Sequence, residues 1–140
     1  FTMLELGSWE QIKDGKTLIF ITYGPGVDYL INIDKNNNLD ALIINARFIK
    51  PIDEKFLSFL LTLKLPIVVF EEVMKTGSLN SAILEYAQTR NMPTDNIHGI
   101  GIEENFVLHG KKELIYKDLG LDEISILNFI NKIIKEKVNG

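Results

Sequence analysis

The sequence predicts an α/β domain in three layers, α/β/α, with a mostly parallel sheet between two layers of helices. Short apolar runs that suit strands alternate four times with segments whose apolar residues recur at helical spacing. The strand runs are apolar almost throughout, as expected for strands that are buried on both faces. With 46% hydrophobic and 24% charged residues, the 140-residue chain is large enough for one globular domain with its own core.

Composition and charge exclude several classes of protein. The chain has no cysteine, which excludes disulfides, thiolate metal sites and cysteine nucleophiles. Its formal net charge of −4 argues against a nucleic-acid partner, because binding to the phosphate backbone requires a basic face. No apolar run reaches the roughly 18 residues of a membrane span. The chain opens on Phe1 without an initiator Met or a signal-peptide pattern, which predicts an excised fragment.

The first half of the chain is predicted to hold two strands and two helices. Gly24-Pro25-Gly26 ends the first strand, and three asparagines at 36–38 end the first helix. Asp53 is placed to cap the second helix, one broad face of which is apolar and must pack on something. In chain order the predicted elements are a strand at 16–23, a helix at 27–33, a strand at 41–45, an extended segment at 47–51 and a helix at 54–63.

The second half continues the alternation. Gly99 and Gly101 within a strand predict a close approach of neighbouring backbone or a bulge. Residues 1–15 show little pattern and are interpreted as an incoming linker plus an edge strand, so the domain proper is 16–140. The predicted elements are a strand at 67–70, a helix at 79–87, a strand at 97–102, a short helix at 111–119 and a last helix capped by Asp122.

Right-handed crossovers would bring the residues that follow Tyr23, Asn45 and Glu71 to one edge of the sheet, where such folds usually bind ligands. The loop Tyr23-Gly24-Pro25-Gly26 could offer backbone N–H groups to a phosphate. It lacks the third glycine of a dinucleotide fingerprint, and proline removes one donor. A tight turn is therefore the favoured interpretation.

The remaining candidates each have an ordinary structural alternative. Glu71 and Glu72 could form an acid/base pair, but neighbouring strand residues point to opposite faces, which favours a solvated strand end, an ion pair with Lys or a helix cap. His109 could shuttle protons, and a hydrogen-bonded loop histidine is favoured. Arg47 could bind a phosphate or carboxylate, or equally pair with Glu71 or Glu72. The residues alone predict no self-contained active site.

Four blocks, in order, carry a resemblance to a known family. Together they resemble the C-terminal, transketolase-type domain of 1-deoxy-D-xylulose-5-phosphate synthases, over essentially the whole chain from about Gly7. Transketolases and the β subunits of 2-oxoacid dehydrogenases share the Lys-Pro-aliphatic-Asp string, but Arg-Phe before it and LGLD before the last helix favour the synthase branch. The blocks are NARFIKPID at 45–53, VVFEE at 68–72, the glycine-led segment at 77–85, and the closing run from Gly99 through Phe106 and His109 to LGLD at 119–122.

The resemblance implies a thiamine diphosphate and Mg²⁺ enzyme that decarboxylates pyruvate and joins the two-carbon unit to glyceraldehyde 3-phosphate, supplying isoprenoid, thiamine and pyridoxal precursors. It implies a cytoplasmic homodimer whose cofactor site lies in the two preceding domains. This domain then holds no catalytic, cofactor-binding or metal-binding residue. Its role is structural, and its partners are the N-terminal domains of the same chain and a second subunit.

The same resemblance implies five strands, one of them an antiparallel edge strand at either Ser8–Ile12 or Gly99–Ile102. Two other functions stay open at this point. One is a partner-docking domain of another thiamine-dependent enzyme, either a transketolase or a dehydrogenase β subunit. The other is a free-standing binder of anions or nucleotides that uses Gly24–Gly26.

Overall fold

The computed structural model describes residues 9–46, 52–71, 78–101 and 123–139. Five strands and four helices are assigned within these ranges, and they follow the predicted alternation. The strands are β1 (Glu10–Lys13), β2 (Leu18–Thr22), β3 (Ala41–Asn45), β4 (Ile67–Glu71) and β5 (Ile97–Gly101). The helices are α1 (Pro25–Asn37), α2 (Glu54–Thr62), α3 (Ser78–Thr89) and α4 (Glu123–Asn139).

The strands form one sheet in the order β1-β3-β2-β4-β5. All neighbours are parallel except β1, which pairs antiparallel with β3 at one edge. The predicted fold class is confirmed. Of the two alternatives for the antiparallel strand, the one near Ser8–Ile12 is confirmed in β1, and Gly99–Ile102 is wrong because β5 runs parallel to β4.

The core lies on both faces of the sheet, because successive strand residues point to opposite sides. In β2, Ile19 and Ile21 belong to a cluster with residues of α2 and α3, whereas Leu18 and Phe20 belong to a second cluster with residues of α1 and α4. Every residue of β2 and β4 is buried. This double burial explains why the first four residues of each of these two strands are all apolar.

The observed ends of α1 and α2 lie close to the predicted ones, and the start of α1 differs. Helix α1 begins at Pro25, two residues before the prediction, since proline is suited to a first helical position whose N–H has no partner in the helix. It ends as predicted among the asparagines, where Asn38 adopts a left-handed backbone conformation and donates its N–H to the Asp34 carbonyl. Asp53 is confirmed as the cap of α2, because its Oδ1 accepts from the N–H of Phe56 at 3.0 Å.

The prediction for Gly99 is wrong about what approaches it. The pairing of β4 with β5 runs through Gly99 without a bulge. A side chain at this position would instead place its Cβ 2.6 Å from Nδ2 of Asn80, so the close neighbour is a helix side chain and not backbone. The extended segment at 47–51, the helix at 111–119 and the cap at Asp122 lie outside the described residues.

Strand β1 is fastened at both ends. At its start, Trp9 is buried against α2, and its backbone N–H donates to Oδ2 of Asp53 at 2.8 Å. At its end, Nζ of Lys13 lies 3.3 Å from Oδ2 of Asp34 and donates to the Ala41 carbonyl at 3.1 Å. The edge strand is therefore an integral part of the sheet.

Within the ranges that the structure covers, no helix is long and apolar enough to span a membrane.

Candidate functional site

The carboxyl edge of the sheet beside β2 is the candidate site. Strand β2 is central, with β3 on one side and β4 on the other, so the order of the strands reverses about it. Open α/β sheets usually bind ligands in the crevice at such a reversal. Tyr23, Glu71 and the first turns of α1 and α3 meet at this edge.

A buried carboxylate occupies the start of α3. Glu71, the last residue of β4, is only 2% exposed. Its Oε1 accepts from the N–H of Leu79 at 3.0 Å, and its Oε2 accepts from the N–H of Asn80 at 3.1 Å. These first-turn amides and the helix dipole are the groups that would otherwise attract an anion. The chain's own carboxylate fills that position, and the helix-cap interpretation of Glu71 is confirmed.

The phenol of Tyr23 is the third donor to this carboxylate. Its hydroxyl donates to Oε1 of Glu71 at 3.1 Å. Burial raises the pKa of Tyr23 well above its usual range, and the charge of Glu71 and the hydrogen bond to it raise that pKa further. The phenol is thus held as a neutral donor at physiological pH and does not act as a general base.

The glycine loop after β2 forms a tight turn. Gly24 has a φ of +62°, and the N–H of Val27 donates to its carbonyl at 3.1 Å. Gly26 packs so closely on Oγ1 of Thr22 and on the ring of Phe70 that any side chain would collide with them. The favoured tight-turn interpretation is confirmed. The turn seats the start of α1 directly on β2 and β4.

Among the described residues, the other polar atoms at this edge include no basic group that could bind an anion. The hydroxyl of Thr22 donates to the Phe70 carbonyl at 2.8 Å. Oδ1 of Asn80 is buried and, among the described residues, has no hydrogen-bond partner. Because that oxygen is an acceptor, it suits a donor and not a phosphate. The described ranges also contain no group of three His, Cys, Asp or Glu residues that could hold a metal ion.

The predicted candidates divide into two groups. Tyr23, the loop to Gly26 and Glu71 lie at this edge. Arg47, Glu72 and His109 lie outside the described residues, so their interpretations stay predictions.

Sequence reasoning missed the bond between Tyr23 and Glu71, although it placed the ends of both strands at one edge. It also missed the buried Asp34, which lies at the amino end of β3. Asp34 accepts from the N–H of Ala41 at 2.9 Å and pairs with Lys13. An acidic residue within the apolar pattern of α1 was the available signal.

Comparison with known proteins defines the class of this domain. Residues 7–126 match the family described as transketolase, C-terminal domain, and the chain belongs to that family. Curated relatives of the chain include 1-deoxy-D-xylulose-5-phosphate synthases. The chain is 31% identical to the synthase of Geobacillus sp. (strain WCH70) over 137 residues, and 32% identical to that of Clostridium perfringens (strain 13 / Type A) over 135 residues. These matches cover 96% and 94% of this chain, and the predicted resemblance is confirmed.

Two further comparisons bear on the fold and on the length. A solved structure described as "Split gene transketolase, inactive beta4 tetramer" superposes with a TM-score of 0.76 at 21% identity, covering 94% of this chain and 44% of that chain. It therefore supports the fold alone. The chain spans only 22% of the length of the two synthases.

Proposed function

We propose that this chain is the C-terminal domain of a 1-deoxy-D-xylulose-5-phosphate synthase. The complete enzyme would condense pyruvate with glyceraldehyde 3-phosphate, with loss of carbon dioxide, and would depend on thiamine diphosphate and Mg²⁺. The observation that carries the proposal is the similarity to synthases over 96% of the chain. A cytoplasmic homodimer is part of the same proposal.

Within that enzyme the domain's role is structural, and it contributes to subunit contact. The described residues at the carboxyl edge do not fit the diphosphate of the cofactor, because Glu71 already occupies the start of α3 and would repel it. The phenol of Tyr23 is committed to the same carboxylate. We propose that the cofactor binds in the part of the enzyme that precedes this domain. Residues 1–15 serve as linker and edge strand, and residues 16–140 as the domain proper.

The test is recovery of activity from two separately expressed parts. The 140-residue chain is mixed with the N-terminal part of the same gene product, and pyruvate-dependent formation of 1-deoxy-D-xylulose 5-phosphate is measured. We expect activity from the mixture and none from this chain alone. A matched control carries Phe70→Asp, which puts a charge into the core and removes the folded domain.

Titration of thiamine diphosphate and Mg²⁺ into the 140-residue chain completes the test, and we expect no heat of binding. Measurable binding would contradict the structural role. No recovery from the mixture, with a well-folded N-terminal part, would favour instead a partner-docking domain of a different thiamine-dependent enzyme.

A further inference from the structure

Helix α2 carries more apolar surface than the sheet can cover. Leu57, Leu60 and Leu61 are buried against the sheet, as the broad apolar face of this segment predicts. A second row, at Phe56, Phe59 and Leu63, follows the outer flank at spacings of three and four residues.

This outer row, the α2 stripe, is partly open to solvent. Phe59 is 53% exposed and Leu63 is 36% exposed. The rings of Phe56 and Phe59 meet edge to face with centroids 6.5 Å apart, so they form one continuous aromatic surface.

We propose that the α2 stripe is the docking surface for the part of the same polypeptide that precedes this domain. The inference rests on the proposed function, since it requires the longer chain of a synthase. The occupant is an apolar surface of the preceding domain, because the stripe offers two aromatic rings and a leucine.

The length of the relatives indicates that a large partner exists. The family is a C-terminal domain, and this chain spans 22% of the synthases that it matches. Most of such a protein lies before this domain in the sequence. We expect a surface of that preceding part to pack on this domain, and exposed apolar rows are where such contacts form.

The place where the polypeptide enters this domain favours the α2 stripe over the other faces as the docking surface. The backbone N of Trp9, the atom through which the chain joins Ser8, donates to Asp53 at 2.8 Å. The other oxygen of the same carboxylate caps α2 by accepting from Phe56. The polypeptide therefore enters at the first turn of α2, and Phe59 lies one turn further along the helix. The buried indole of Trp9 fixes this entry point.

A contrast on another helix shows why the stripe is distinctive. Ile124 on α4 is 68% exposed, more than Phe59, but it is the one strongly exposed large apolar side chain among the described residues of that helix. Single exposed apolar residues are common on protein surfaces and need no partner. Ile124 therefore serves as the matched control position.

Photo-cross-linking in the full-length protein tests the proposal. Phe59 is replaced by p-benzoylphenylalanine, and Ile124 is replaced in the same way as the control. Protein made in ¹⁴N and ¹⁵N media is mixed, dissociated and reassembled, irradiated, digested and analysed by mass spectrometry. We expect a cross-link from position 59 to residues that precede Phe1, with both peptides carrying the same isotope, and none from position 124.

A second variant keeps the test independent of the cross-linking chemistry. Phe59→Asp in the full-length protein is expected to speed proteolytic cleavage near Trp9 severalfold, with the circular dichroism spectrum unchanged, whereas Ile124→Asp leaves cleavage at the parent rate. Phe59 is already half exposed, so the substitution does not disrupt the core.

Four results would overturn the proposal. Cross-links with mixed isotopes would assign the α2 stripe to a second copy of the chain. Equal labelling at both positions, or none at position 59, would leave the stripe without the proposed occupant. Cleavage rates unchanged by Phe59→Asp would do the same. None of these readouts uses substrate, so a failed enzymatic assay and a failed docking test remain distinguishable.

Discussion

Replacing Glu71 by glutamine should destabilise the domain by about 3 kcal/mol. The carboxylate accepts from two first-turn amides of α3 and from the phenol of Tyr23, all at 3.0–3.1 Å. Glutamine keeps one acceptor at Oε1 for Leu79 and Tyr23 but turns an NH₂ group toward the N–H of Asn80. Losing one charge-assisted bond and leaving a buried donor unpaired costs about 2–3 kcal/mol, and the two remaining bonds weaken because the charge is gone.

The assay is urea unfolding of the 140-residue chain followed by circular dichroism, with thermal unfolding alongside. A loss of about 3 kcal/mol corresponds to a decrease in Tm of roughly 10 °C for a domain of this size. Glu85→Gln on the same helix is the matched control, since that side chain is exposed and should change stability by less than about 0.5 kcal/mol. If Glu71→Gln were as stable as the control, the assignment of this carboxylate as the cap of α3 would be refuted.

The remaining predictions concern two glycines, the carboxylate of Asp53 and the phenol of Tyr23. In urea unfolding, Gly15→Ala should lower the free energy of unfolding more than Gly24→Ala, because a Cβ at position 15 collides with the backbone of Ala41. A Cβ at position 24 meets open space and costs only about 1–2 kcal/mol for its positive φ. Equal losses for the two variants would contradict this prediction. Asp53→Ala should lose about 2 kcal/mol by the same measurement, since one carboxylate serves both Trp9 and α2; a loss under about 0.5 kcal/mol would argue against the dual role. Above about pH 10 the unfolded state should release the proton of Tyr23 while the folded state retains it, because the folded pKa is raised. Stability should therefore fall as the pH rises from about 9 to 11, more steeply than in Tyr23→Phe, and parallel slopes would count against the raised pKa.

Local patterns predicted the layers of this fold because the layers depend on burial. The first four residues of β2 and of β4 are all apolar, since both faces of these strands are covered, and that property is visible in the local sequence. The cap at Asp53 was predictable for the same reason, because the carboxylate and the Phe56 amide that it binds are three residues apart. The start of α1 at Pro25 was also available from the sequence, as proline favours the first helical turn.

The site was less predictable because its contacts depend on strand order. Tyr23 and Glu71 are 48 residues apart and meet because β2 and β4 are neighbours. Strand order in a parallel sheet has no local signature, since the central strands β2, β3 and β4 all begin with four consecutive apolar residues. The neighbour of Gly99 was unpredictable for a similar reason. The sequence indicated a close neighbour, but the rotation of α3 about its own axis decides that this neighbour is Asn80.

The edge position of β1 has a consequence for solubility. This strand covers the outer side of β3, whose sequence ALIIN is apolar and would otherwise present unpaired backbone groups to other chains. β1 is itself a poor template for further strands, because it is short, carries Glu10 and Lys13, and has an irregular register between Gln11 and Lys13. A chain shortened to begin at Lys16 would keep the four parallel strands but expose the edge of β3, and self-association through that edge would limit its use in solution.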